Sequence, residues 1–226
     1  MIAEQPDVLD VDAILFDCDG VLVDSDASVV AAWSRWARAH DLDPSYVVGL
    51  VHGRRSADTV AALITADRRD AALAMVDQFE IDDAATTVAV PGAAELLATL
   101  EAERWAVVTS GLFPLATARL AAAGLPVPTV LITADRVRRG KPDPEGYLAG
   151  AAGLGVDPGR CVVLEDAPEG VAAARNAGVG AVVGVGPRVR DLNIDRHVDD
   201  LTTLTWTPAG LRVGRSPRPA SPRLGL

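Results

Sequence analysis

Hydrophobic and polar positions fall in blocks along this chain, and the first block ends abruptly. Ala13-Ile14-Leu15-Phe16 is a continuous apolar run closed by Asp17-Cys18-Asp19-Gly20. So short a run predicts a buried strand over 13–17, and glycine lets the backbone turn directly after it. From residue 93 the pattern switches regularly between two periods. Ala93, Leu96, Leu97 and Leu100 lie at i, i+3, i+4 and i+7, one face of a helix that starts after Pro91-Gly92. Further strands are predicted over 105–109, 129–133, 161–164 and 181–185, and further helices over 115–123, 147–152 and 168–177. The last of these helices has a proline near its first turn and Gly178 at its end, the usual asymmetry of helix termini. Five strands joined mostly by helices predict an α/β fold, a Rossmann-like doubly wound parallel sheet with helices on both faces.

Residues 26–86 interrupt this alternation. Trp33, Trp36, Ala37 and His40 lie at helical spacing, as do Val60, Leu63 and Ile64, and then Ala72, Met75, Val76 and Phe79. No strand pattern is present there, so the expectation is an all-helical insert, with Val90-Pro91-Gly92 as the return to the sheet. The boundaries predicted are 1–24 and 91–206 for the α/β core, 25–90 for the helical insert, and 207–226 for a tail. The tail is rich in Pro, Gly, Ser and Arg, has no acid and no periodicity, and is expected to be disordered. Trp33 and Trp36 are expected to be core residues of the insert.

Composition narrows the function. The chain has 226 residues and a net charge of -10, which argues against sequence-independent binding of nucleic acid and against anionic membranes. No apolar run approaches the roughly 18 residues of a membrane span. The N-terminal stretch is acidic and lacks the form of a signal peptide. Cys18 and Cys161 lie in apolar runs and read as small buried hydrophobes, and His40, His52 and His197 are dispersed, so no zinc pattern exists. A soluble cytoplasmic protein, monomeric or homodimeric, is expected. Lys141 is the only lysine; every other basic residue is arginine. Chance survival explains its rarity as well as selection does, but Gly140 and Pro142 restrain the backbone on both sides, as expected for an aimed side chain.

In open parallel sheets ligands bind at the carboxyl ends of the strands. The polar residues at those ends are Asp17, Asp19, Thr109, Glu165 and Asp166. Side-by-side burial of carboxylates is costly unless a cation or proton neutralises them. The residues alone therefore indicate a site for a hard metal, a covalent intermediate, or both.

Four segments carry a resemblance: Asp17-Cys18-Asp19-Gly20-Val21, Val107-Val108-Thr109-Ser110-Gly111, Gly140-Lys141-Pro142, and Val163-Leu164-Glu165-Asp166-Ala167-Pro168-Glu169-Gly170. In that order, on matching elements, they resemble the four motifs of the haloacid dehalogenase superfamily, in the branch with a helical cap inserted after the first motif. The resemblance covers roughly residues 11 to 205. It implies Asp17 as the nucleophile that takes up a phosphoryl group and Asp19 as general acid and then base. It implies Thr109 as a donor to phosphate oxygens, with Ser110 and Gly111 beside it, and Lys141 as the neutralising cation. Mg²⁺ is the implied cofactor, held by Asp17, the backbone carbonyl of Asp19, Asp166, and Glu165 directly or through water. An N-capping role for Glu165-Asp166 ahead of Pro168 does not exclude this.

Among members of the superfamily, the chain is similar to small sugar- and polyol-phosphate phosphatases, through 105–111, 132–137, 140–148 and, in the cap, His52-Gly53-Arg54-Arg55. This implies that His52, Gly53 and Arg55 contact the substrate beyond its phosphate, although Arg55 reads equally well as a solvated arginine. Asp19 counts against true dehalogenases, and a cap without lysine counts against the phosphonate-cleaving branch. The partner expected is a small-molecule phosphate ester. The alternatives are a phosphomutase of the β-phosphoglucomutase kind, which returns the phosphoryl group to the sugar, and a non-catalytic binding protein on the same fold.

Overall fold

A computed structural model describes residues 8–214 of the chain. In chain order its elements are β1 (Val8–Leu9), β2 (Ala13–Phe16), β3 (Val23–Asp24), α1 (Asp26–Ala39), α2 (Pro44–Val48), α3 (Ser56–Leu63), α4 (Arg69–Asp83), β4 (Val88–Ala89) and α5 (Ala93–Leu97). There follow β5 (Trp105–Val108), α6 (Phe113–Ala122), β6 (Leu131–Ile132), α7 (Glu145–Leu154), β7 (Cys161–Glu165), α8 (Pro168–Asn176), β8 (Ala181–Val185), β9 (Arg196–Val198), β10 (Leu204–Thr207) and β11 (Gly210–Val213).

The central sheet has six strands in the order β6-β5-β2-β7-β8-β9, and every pairing in it is parallel. Its strands bury both faces, because alternate residues feed two separate cores. Ile14, Phe16, Val107, Val162, Leu164 and Val183 pack with Leu96 and Leu97 of α5 and Leu120 of α6. Leu15, Ala106, Val108, Val163 and Val182 pack with Tyr147 and Ala151 of α7 and Val171 and Ala174 of α8. This is the doubly wound α/β arrangement, with β2 inside the sheet between β5 and β7.

The sheet has one strand more than the sequence pattern predicts. β9 is a short edge strand whose Arg196 and His197 are only half-buried, so it carries no apolar run. α5 ends at Leu97 rather than reaching Leu100; the Thr99 hydroxyl donates to the Leu96 carbonyl at 2.7 Å, a local bond that competes with continuing the helix. The expectation of a disordered tail from residue 207 is wrong for its first part. β10 and β11 form an antiparallel hairpin that also pairs with β1. Leu211 is fully buried, and Leu204 and Val213 join the α5-side core. The period-2 burial was hidden among turn-forming residues, and Gly210 supplies a positive φ where a Cβ would meet the Leu9 carbonyl. The rest of that tail, 215–226, and the acidic N-terminal stretch 1–7 lie outside the described residues.

Helices α1 to α4 surround a third apolar cluster that includes Trp33, Trp36, Val47, Val60, Ala72 and Val76. Trp33 and Trp36 meet edge to face, with centroids 5.2 Å apart. The Trp36 indole N–H donates to the Ala72 carbonyl at 2.8 Å, which satisfies its polar end inside the core. Both cysteines are buried and unpaired. Among the described residues no helix is long and apolar enough to cross a membrane.

On α4, Asp77 is half-buried, and burial together with the nearby Glu80 carboxylate raises its carboxyl from 3.8 to about 6. A carboxyl that titrates higher in the folded state than in the unfolded one favours folding when protonated and opposes it when ionised. The opposition grows as pH rises from about 4 through 6 and is complete above that. Asp77→Asn is therefore expected to raise Tm at pH 8 by about 2–4 °C, since partial exposure limits the gain to about 1 kcal/mol. At pH 4 the gain should vanish. Thermal unfolding followed by circular dichroism at the two pH values checks this.

Candidate active site

The strand that begins the sheet delivers the first carboxylate. The Asp17 amide continues the ladder by donating to the Leu164 carbonyl at 3.0 Å. The chain then turns at once: the Cys18 carbonyl accepts from the amides of Leu22 and Val23 at 2.9 and 3.0 Å. Gly20 turns with φ of 81°, and a Cβ there would overlap the Asp166 carboxylate. Glycine thus serves both the turn and the close approach of the β7 loop. The result places Asp17 and Asp19 on the wall of one cavity with Thr109, Ser110, Gly111 and Asp166. The cavity holds about 560 Å³, open solvent included.

Lys141 enters this site fully aimed. Its ammonium donates to Asp17 Oδ1 and to Glu165 Oε1, each at 2.5 Å. Glu165 Oε1 also accepts from the Tyr147 hydroxyl at 2.9 Å. Glu165 Oε2 accepts from the amides of Asp166 and Ala167 at 2.8 and 2.9 Å, at the start of α8. Gly170 makes room for this fully buried side chain, since a Cβ there would overlap its carboxylate. Burial pushes the Asp17 carboxyl up; Lys141 opposes the shift, and the carboxylates of Glu165, Asp166 and Asp19 add to it. Burial works against the Lys141 ammonium as well, but Asp17 and Glu165 outweigh it and hold the amine protonated. Asp166 is raised to about 7, first by burial and then by Glu165, against the pull of Arg188.

One carboxylate oxygen from each of Asp17, Glu165 and Asp166 lies within 4.8 Å of the others. This all-oxygen set suits a hard divalent cation. Asp17 and Asp166 can offer an oxygen directly. Glu165 already accepts four hydrogen bonds, two on each oxygen, so its part at the site is to hold Lys141 and the turn into α8, with no lone pair left for an ion or its water.

The remaining predicted residues divide. The Thr109 oxygen accepts from the Gly111 amide at 3.0 Å, which leaves its hydroxyl proton for an acceptor in the cavity. The Ser110 hydroxyl donates to the Gly53 carbonyl at 3.0 Å, tying the sheet to the helical insert. Gly53 turns with positive φ over Ala167, and His52 lies on the cavity wall 3.9 Å from Asp26. Arg55 does not line this cavity. Its guanidinium is committed to both oxygens of Asp58, at 2.7 and 2.8 Å, and to the carbonyls of Val137 and Arg138. The neighbouring Arg54 lines the cavity instead, and Trp33, a core residue of the insert, also shows an edge to it.

Sequence reasoning missed three charged residues here. Arg119 of α6, only 2% exposed, reaches Asp19 Oδ1 at 2.9 Å and Glu80 of α4 at 3.2 Å. Arg188, after β8, grips Asp26 with two hydrogen bonds at 2.9 and 3.1 Å and reaches Asp166 at 2.5 Å. A signal existed for two of the three. Arg119 continues the buried stripe of Leu115, Ala116 and Leu120, and Glu80 that of Ala72 and Val76. A charge on an apolar helical stripe needs a partner.

Comparison with known proteins agrees with this arrangement. The family model described as haloacid dehalogenase-like hydrolase matches residues 11–178. Hexitol phosphatase A of Escherichia coli (strain K12) is 41% identical over 207 residues, which span 87% of this chain and 95% of that protein. Validoxylamine A 7'-phosphate phosphatase of Streptomyces hygroscopicus subsp. limoneus is 39% identical over 206 residues, 87% of this chain and 97% of its own. Among solved structures, a hydrolase from Pseudomonas syringae aligns with a TM-score of 0.76 at 29% identity, covering 84% of this chain and 94% of that one. The chain belongs to the haloacid dehalogenase-like hydrolases.

Proposed function

We propose that this chain is a Mg²⁺-dependent phosphatase that hydrolyses a small phosphorylated sugar or polyol through an aspartyl-phosphate. The observation that carries the reading is the pairing of two aspartates with different surroundings in one cavity. Asp17 is buried on Lys141, while Asp19 is less buried and has a carboxylate oxygen without a partner among the described residues.

The chemistry follows from those surroundings. An Asp17 oxygen attacks phosphorus, and the ester P–O bond breaks as the new one forms. Asp19, protonated at that moment, gives its proton to the leaving oxygen. It then takes a proton from the water that cleaves the aspartyl-phosphate. Lys141 holds Asp17 in line and offsets the charge of the transferred group, and the Thr109 hydroxyl donates to a phosphoryl oxygen. Asp17, Asp166 and the backbone carbonyl of Asp19 would hold the metal, while Glu165, fully hydrogen-bonded, holds Lys141 beside them. When bound, Mg²⁺ neutralises the charge between these carboxylates and the phosphoryl oxygens.

The outer half of the cavity favours a polyol. Val29, Val51 and Trp33 offer apolar surface for C–H groups, while His52 and Arg54 offer hydrogen-bonding groups. Both named relatives reported above are phosphatases, one of hexitol phosphates by name, which supports the same class of substrate.

A panel of sugar and polyol phosphates, assayed for released phosphate with Mg²⁺ present, tests the proposal. At least one hexitol, pentitol, glycerol or deoxysugar phosphate is expected to release phosphate, and Asp17→Asn should lower turnover more than about 10²-fold. Accumulation of a rearranged sugar phosphate in place of free phosphate would overturn the reading.

Metal removal gives a second expectation. The carboxylates of Asp17, Asp19, Glu165 and Asp166 outnumber the cations in direct contact with them, Lys141, Arg119 and Arg188, and the substrate is itself an anion. Excess chelator should silence turnover and Mg²⁺ should restore it. Ca²⁺ should inhibit, because its looser coordination misplaces the reacting oxygens. Steady-state assays over a titration of each ion check this.

Lys141→Arg gives a third. The ammonium sits between two carboxylates in a space with side chains almost fully buried, where a planar guanidinium does not fit the same point. A loss on the order of 10²-fold in kcat is expected, with the fold retained by circular dichroism. Near-normal kinetics would remove Lys141 from the machinery.

A further inference from the structure

Helix α6 carries one charge on its buried face, and that charge joins the two halves of the molecule. Nη1 of Arg119 donates to Asp19 Oδ1 at 2.9 Å, and Nη2 donates to Glu80 Oε1 at 3.2 Å. Glu80 belongs to α4 in the helical insert and is itself 5% exposed. Its other oxygen accepts from the Ser56 hydroxyl of α3 at 3.0 Å. A chain of contacts thus runs from the insert, through a guanidinium rooted in the core, to Asp19.

At Asp19 the chain of contacts has a specific consequence. Oδ1 accepts two hydrogen bonds, from Arg119 and from the Ser25 hydroxyl at 2.7 Å. Oδ2 has no partner among the described residues, and Asp19 lines the cavity. One oxygen is fixed and the other is left for proton transfer. Arginine suits this task because its planar fork holds two carboxylates at a set angle. Burying a guanidinium is costly without partners, and here burial works against the Arg119 cation while Asp19 and Glu80 outweigh it. Burial raises the Glu80 carboxyl, and Arg119 and Ser56 draw it back down.

We propose that Arg119, anchored by Glu80 of the helical insert, is a positioning residue that presents the free oxygen of Asp19 to the leaving group. The proposal rests on the reading of Asp19 as general acid and base. In that step the Asp19 proton moves to the ester oxygen as its bond to phosphorus breaks and the bond from Asp17 forms. A misaligned Asp19 delays the proton only where the leaving oxygen needs it. An alkoxide leaving group needs it; a 4-nitrophenolate does not.

The test compares two substrates on the full chain with Mg²⁺. One is the best alkyl phosphate from the substrate panel; the other is 4-nitrophenyl phosphate, read as the pre-steady-state burst of 4-nitrophenol that reports formation of the aspartyl-phosphate. Arg119→Met is expected to lower kcat for the alkyl phosphate by about 10–10²-fold, less than the roughly 10²–10⁴-fold of losing general acid–base catalysis outright. The nitrophenol burst rate should stay within a few-fold of the parent. Glu80→Gln should show the same split, smaller in size, and the double variant should be no worse than Arg119→Met alone, as expected for two residues acting as one unit. The double variant leaves neither buried charge unpaired and so keeps the test valid if a single variant fails to fold; Tm is measured for all. Arg119→Lys should recover part of the alkyl phosphate rate.

Asp19→Asn is the control, and the same split is expected of it. Equal losses on both substrates in folded Arg119→Met, or no loss on either, would overturn the proposal while leaving Asp19 as the acid. Absence of the split in Asp19→Asn would overturn the assignment of the acid, and the positioning role with it.

Discussion

The site is organised around one buried ammonium between two buried carboxylates. Lys141 bridges Asp17, directly after β2, and Glu165, the last residue of the adjacent β7. Such a cluster is costly to desolvate unless every remaining lone pair finds a donor. Glu165 meets that condition, taking Lys141 and Tyr147 on one oxygen and two backbone amides on the other. Lys141 bonds only Oδ1 of Asp17, so Oδ2 is left without that contact in a residue that lines the cavity. Gly20 and Gly170 follow from the same constraint, since a side chain at either would enter the space of an acid.

The two parts of the chain meet over this cluster in a different way. Their apolar cores are separate, one around α1 to α4 and two on the faces of the sheet. What crosses the gap is largely polar: Ser110 to Gly53, Arg55 to the 137–138 carbonyls, Arg119 to Glu80, and Arg188 between Asp26 and Asp166. Polar interfaces of this kind are common between parts of one chain that pack about their own cores. The seam runs along the cavity, so the residues that join the parts are also residues that surround a bound molecule. Arg119 illustrates the economy of this: one guanidinium serves both the joint and the acid.

The boundary between legible and hidden structure follows the range of the interactions. Asp17 and Asp19 could be read because an apolar run, two acids and a glycine fall within eight residues, and local geometry dictates a strand followed by a turn. Lys141 could be read because its scarcity and its Gly-Pro setting are local too. The first part of the tail misled because Pro208 and Gly210 look like breakers, whereas they frame a hairpin whose apolar residues have meaning only once Val8 and Leu9 lie beside it. β9 was hidden because an edge strand needs little hydrophobic surface of its own.

The sequence by itself therefore determined five of the six strands of the doubly wound sheet, the helices between them and the acids at its carboxyl edge, since each depends on periodicity within a dozen residues. Tertiary structure alone decided which charges meet. Arg119 lies 39 residues from Glu80 and 100 from Asp19, and Arg188 lies 162 from Asp26. It also decided that Arg55 turns to Asp58 and the 137–138 loop while Arg54 faces the cavity. Neighbouring arginines have the same local chemistry, and only the packing of α3 against the loop before Lys141 distinguishes them. Side-chain pairing across such separations is set by how whole elements stack, and no short stretch of residues encodes it.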